Sequence, residues 1–167
     1  LFNTLASIDQ LILTDPPRAS RMQQSLIRYL RAAMPQMRAS GAGARPTLGQ
    51  QVDLSRSFLE IMAVRMEDRL QSVMSVPDGL KSAVFPSMML QTLVENAIKH
   101  GLEPRSGGGT VWIRARRDGD GVAVTVADNG EGFNTKTSGT GIGLKNVRER
   151  LRLRYAGDAN LSVVANF

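Results

Sequence analysis

Apolar positions along the first third of the chain recur at helical spacing. Leu1, Leu5, Ile8 and Ile12 predict a helix over residues 1–13, stopped by Thr14-Asp15-Pro16-Pro17. Met22, Leu26, Tyr29, Leu30 and Ala33 stripe a second helix over 18–34, with Pro35 as its expected end. Residues 39–45 are Gly- and Ala-rich and read as a linker. Thr47 then opens a third helix to about residue 70, with Gln50 at capping-box spacing and Leu48, Val52, Phe58, Leu59, Met62 and Met66 on its apolar face.

Beyond residue 70 the period alternates. Residues 71–76 predict a strand, and Pro77-Asp78-Gly79 a turn. Residues 86–100 predict a helix, with a proline early and Gly101 just past its end. Val111, Ile113 and Ala115 alternate with Trp112, Arg114 and Arg116, and Val122, Val124 and Val126 alternate after the turn Asp118-Gly119-Asp120-Gly121. A helix over 142–155 and a strand over 161–164 complete the reading. The fold class is α+β. A helical hairpin (1–45) precedes a two-layer α/β unit (46–167), with a mixed sheet covered by helices on one face.

Composition narrows this picture. Hydrophobic residues make up 42% of the chain but aromatics only 5%, so aliphatic side chains and the eight methionines must fill the core. There is no cysteine, which excludes disulfides and thiolate metal sites. No stretch is long and apolar enough for a bilayer. The net charge of +6 permits an anionic partner, but no basic stripe is interleaved with aromatics, so nucleic acid is not expected. The start at Leu1 without Met reads as an excised piece.

Three segments carry candidate chemistry. On the 86–100 helix, Leu90, Leu93, Val94, Ala97 and Ile98 fall on one side and Thr92, Glu95, Asn96 and Lys99 on the other, with His100 at the flank. That polar face can be a solvated surface with a Glu95–Lys99 pair worth about 0.3–0.5 kcal/mol. It can also offer hard oxygen ligands for magnesium. The second segment, Asp128-Asn129-Gly130-Glu131-Gly132-Phe133, follows a strand. Its aspartate can accept from an exocyclic amine, and its glycines let a flat ring approach. The third, Gly139-Thr140-Gly141-Ile142-Gly143-Leu144-Lys145-Asn146, opens a helix and exposes amides for an anion. Leu144 stands where a dinucleotide fingerprint needs glycine, and no Gly-Lys-Ser/Thr ending makes a P-loop.

Leu93-Val94-Glu95-Asn96-Ala97-Ile98-Lys99-His100-Gly101 resembles the N box of the GHKL (Bergerat) ATP-binding fold. Residues 128–132 and 139–144 resemble its two glycine boxes. Leu1-Phe2-Asn3-Thr4-Leu5 is similar to the run after the phosphoacceptor in LytS-type sensor histidine kinases, as is the stretch from Phe58 to Leu70. The resemblance implies ATP and Mg2+ as cofactors. Asn96 would hold the metal, Lys99 would reach the phosphates and His100 would sit near the nucleotide. Asp128 would bind the adenine amine, with Gly130, Gly132 and Phe133 shaping the adenine wall. Gly139, Thr140, Gly141, Ile142, Gly143, Leu144 and Lys145 would form the phosphate loop, and residues 135–138 a short lid.

It also implies a homodimer through the hairpin and a response-regulator receiver domain as partner. The γ-phosphoryl group would pass to a histidine two residues before Leu1, so this piece would not phosphorylate itself. The piece is expected in the cytoplasm, and the intact protein at the bacterial inner membrane. Thr92 departs from the pattern of Bergerat ATPases and anti-sigma-factor serine kinases, which carry a glutamate there. Glu95, at another angle, is the remaining acid candidate. A GHKL ATPase, a serine kinase and a non-catalytic nucleotide-binding scaffold are the alternatives.

Overall fold

The computed structural model describes residues 2–38, 45–131 and 142–164. Helix α1, Phe2–Thr14, and helix α2, Pro16–Arg38, form the hairpin. Asp15 alone joins them, and its carboxylate accepts from the Arg18 amide at 3.1 Å, capping α2. The second helix starts earlier than its stripe predicted, because Pro16 and Pro17 occupy a first turn whose amides have no helical acceptor anyway. It also runs past Pro35, with one ladder bond missing there.

Helix α3, Leu48–Met66, begins at the predicted capping box. The Gln50 amide donates to Thr47 Oγ1 at 3.4 Å and the Thr47 amide to Gln50 Oε1 at 3.0 Å. It ends four residues short of expectation, where 67–69 tighten into a 3-10 turn. This helix is buried on two sides. Leu48, Val52, Leu59, Met62 and Met66 join the main core, and Ile61 packs with Ile8, Met22 and Leu26 of the hairpin. Tyr29 of α2 meets Phe58 of α3 with ring centroids 6.1 Å apart.

Strands β1 (Leu70–Ser75), β2 (Gly109–Asp118) and β3 (Gly121–Asp128) form a mixed sheet in that order. The pair β1–β2 is parallel and β2–β3 is a tight antiparallel hairpin closed at Asp118 and Gly121. A parallel pair needs a crossover, and here helix α4, Met89–Asn96, lies within it. Val111, Ile113 and Ala115 face inward as the alternation predicted, while Arg114 and Arg116 face out. Helix α5, Ile142–Tyr155, packs Val147 and Leu151 on Met89 at the start of α4. The predicted strand over 161–164 does not form. No sheet edge pairs with it, and Leu161 packs against the α4–α5 cluster instead.

Burial, with the Glu95 carboxylate second, raises the Tyr29 pKa above its ordinary 10.0. An unfolded chain therefore releases this proton first. The contribution is intact below about pH 10 and is lost as pH rises through the folded pKa. Denaturant midpoints taken between about pH 9 and 11 should fall more for the native chain than for Tyr29→Phe. Equal alkaline slopes would remove Tyr29 as the cause.

Candidate nucleotide site

Helix α4 buries Leu90, Val94, Ala97 and Ile98 and leaves Glu95, Lys99 and His100 exposed, with Thr92 and Asn96 half-buried between. The two faces are those the wheel predicted, except that Leu93 is only half-buried, but the bounds of the helix are not. It starts at Met89, because Met88 takes a left-handed conformation at φ 61°, and Pro86 stays outside. At its far end the backbone widens into a π segment, Ala97–Leu102, so Gly101 lies inside it rather than beyond it. Such widenings recur at functional sites.

The widened turn sets Gly101 against the first glycine loop. A Cβ on Gly101 would run into the Asp128 carboxylate, and a Cβ on Gly130 would run into the Gly101 backbone. Asp128 Oδ1 accepts from the Gly130 amide at 2.9 Å, and the Glu131 amide donates to the Gly101 carbonyl at 3.1 Å. Asn129 extends the sheet by one rung. Its Oδ1 accepts from the Thr110 amide at 2.7 Å, and its own amide donates to the Thr110 carbonyl at 3.3 Å. The Asp128 carboxylate therefore stands at the end of β3, on a backbone fixed from both sides.

The start of α5 closes on the same helix. A Cβ on Gly143 would lie 3.3 Å from Asn96 Nδ2 and 3.5 Å from Thr92 Cγ2. Asn96 Nδ2 is buried and has no hydrogen-bond partner. A buried orphan amide costs about 1–3 kcal/mol, and such groups in folded proteins call for a ligand or a function. The two ends of an amide can exchange by a flip, so either can face a ligand. Thr92 has no such freedom: its hydroxyl donates to the Met88 carbonyl at 2.8 Å.

Glu95 accepts from Gln91 Nε2 at 2.8 Å, and no Glu95–Lys99 ion pair forms among the described residues. The solvated i,i+4 pair is thus replaced by a bond to Gln91, which is buried. Leu144 is half-buried and Lys145 exposed. Gly132, Phe133, residues 135–138, Gly139, Thr140 and Gly141 lie outside the described residues, as does the side chain of Ile142.

Two family models fit the two halves of the chain, and this arrangement lies within the second. The histidine kinase family matches residues 1–70. The family of histidine kinase-, DNA gyrase B- and HSP90-like ATPases matches residues 83–165, which hold α4, β3 and α5.

The chain belongs to the histidine kinases.

Its second half is their GHKL-type ATPase domain, and the α+β architecture agrees with that. Among relatives, the histidine kinase chain is 32% identical over 167 residues to the sensor histidine kinase BtsS of Escherichia coli (strain K12), covering 98% of this chain and 28% of that protein. It is 33% identical over 168 residues to the sensor histidine kinase YesM of Bacillus subtilis (strain 168), with the same two coverages, 98% and 28%. It is 30% identical over 136 residues to the sensor protein LytS of Oceanobacillus iheyensis, covering 81% of this chain and 23% of that one. The chain thus spans little more than a quarter of the first two relatives. Among its described residues no helix is long and apolar enough to cross a membrane.

Four supports of the arrangement, Gly101, Gln91, Asn129 and Arg105, take their roles only from the fold. Gly101 was visible, but as a helix terminator, because a π turn has no one-residue signature. Asn129 lies within the first glycine box but was given no role there, and Gln91 and Arg105 carry no motif. Arg105 donates to the Asn129 carbonyl, and only the folded loop reveals this.

Proposed function

We propose that this chain holds ATP–Mg for transfer of the γ-phosphoryl group to a histidine elsewhere, for relay to a response-regulator aspartate. What carries the reading is a pair of close approaches, Gly143 to Asn96 on α4 and Asp128 and Gly130 to Gly101 in the π turn that follows it. In it, Asp128 accepts from the adenine amine, and Gly130 leaves room for the ring. Asn96 holds magnesium and Lys99 reaches the phosphates, with Gly143, Leu144 and Lys145 at the phosphate end and His100 on the nucleotide's flank.

The residues fit a magnesium ion. Among the described residues no group of three or more His, Cys, Asp or Glu could hold a metal alone. Magnesium is commonly held by few protein groups together with substrate phosphates, which matches a single buried amide beside Gly143. When bound, the ion neutralises phosphate charge. Transfer to an acceptor rather than to water is favoured by Thr92, which is no base and whose hydroxyl is already engaged. Glu95, bonded to Gln91, is the acid left for proton transfer.

We assign residues 1–45 to dimerisation and phosphotransfer and 46–167 to nucleotide binding. The hairpin leaves Leu5, Ile12, Leu13, Ile27, Leu30 and Met34 exposed, an apolar surface suited to a second copy in a four-helix bundle. His100 is not taken as the phosphoacceptor, because it sits on the ATP helix, and the acceptor of this reading is the histidine that the family resemblance sets two residues before Leu1. Incubation with γ-labelled ATP should leave the 167-residue chain unlabelled. The chain extended upstream through the histidine should become labelled. Label on the present chain, or none on the extended one, would refute the assignment.

A further inference from the structure

The hairpin is tied to the nucleotide half by arginines as well as by its apolar seam. Arg18, in the first turn of α2, donates to the Val64 carbonyl from Nε at 3.1 Å and from Nη2 at 2.6 Å. Its Nη1 reaches Glu67 Oε1 at 2.9 Å. Val64 is in the last turn of α3, so this guanidinium caps the carbonyl end of that helix. Glu67 just beyond has φ 58° and ψ −147°, a backbone conformation rare outside glycine that persists only where surroundings enforce it.

The same end of α3 grips the loop 103–108. Arg65 Nη1 pairs with Glu103 Oε1 at 2.9 Å, and Arg69 Nη1 donates to the Ser106 carbonyl at 3.2 Å. Gly108, at φ 63°, lies so close to the Arg69 carbonyl that no side chain fits. From that loop Arg105 donates to the carbonyl of Asn129, between Asp128 and Gly130. Polar contacts joined through neighbouring residues of the chain therefore lead from the hairpin turn to the backbone that presents Asp128. None of these arginines fills the core, and partly exposed ion pairs add little to stability. Their geometry fixes position.

We propose that Arg18, Arg65 and Arg105 are positioning residues of the nucleotide site, coupling the seat of the hairpin to the 128–130 loop so that ATP affinity follows hairpin position. This rests on the reading that Asp128 binds the nucleotide. Because coupling is reciprocal, bound ATP also shifts the hairpin.

ATP titrations of the 167-residue chain test it. Arg18→Met and Arg105→Met should each weaken binding about fivefold. Together they should weaken it by less than the product, as members of one run do. Arg65→Glu should weaken it and added Glu103→Arg should restore it. The Gly130 and Glu131 amide signals should shift in Arg18→Met. Asp128→Asn is measured alongside. If Asp128→Asn weakens binding while Arg18→Met does not, the site stands and the coupling is overturned. If Asp128→Asn binds ATP unchanged, both fall. Should Arg18→Met fail to fold, the Arg65–Glu103 swap decides: restored affinity supports the coupling, and no recovery overturns it.

Discussion

Gly130→Ala should lower the thermal midpoint of the chain by about 2–10 °C, the equivalent of about 1–3 kcal/mol of overpacking in a chain of this size. The added methyl would meet the backbone of Gly101. A side chain could rotate away, but this backbone belongs to the π segment, and its carbonyl already accepts from the Glu131 amide. Relief must come from moving the first glycine loop off the helix. That movement breaks the Glu131 bond and turns the Asp128 carboxylate, so nucleotide affinity should fall with stability. Thermal melts with and without ATP check both effects. A midpoint and an ATP-induced shift equal to those of the native chain would mean that the two glycines are not packed as described.

Asn96→Ala should do the opposite to stability and far more to binding. Nδ2 is buried without a partner, so its removal takes away a desolvation cost of about 1–3 kcal/mol while leaving a small gap. The midpoint of the apo chain should stay level or rise slightly. In the proposed site the same amide is the protein's hold on magnesium. Interactions of a polar group with a charge contribute about 1.5–3 kcal/mol, so ATP–Mg affinity should drop roughly 10–100-fold. A residue whose loss spares the fold and removes the ligand is one kept for function.

Much of this was legible in the sequence because its signals are local. The capping box at Thr47 and Gln50, the alternation of Val111, Ile113 and Ala115, and the two-faced helix around Asn96 each depend on near neighbours, and each appears as predicted. The misses are places where tertiary contacts override local rules. Pro35 did not end α2, and Pro86 did not start α4. Gly101 did not stop a helix, since the close approach of Gly130 and Asp128 holds it within a π turn. Residues 161–164 have strand-like composition, but β character needs an edge to pair with. In the candidate site, the motif residues could be named but their supports could not. Gln91 behind Glu95 and Arg105 behind Asn129 are ordinary helix and loop residues until the fold sets them there.

In the proposed site the face of α4 that Gly143 meets holds ATP through magnesium at Asn96. Calorimetric titration of ATP into the native chain and Asn96→Ala, each with magnesium and with the metal chelated, tests it most directly. Magnesium should tighten ATP on the native chain and make little difference to Asn96→Ala. An equal gain from magnesium in both proteins would contradict it.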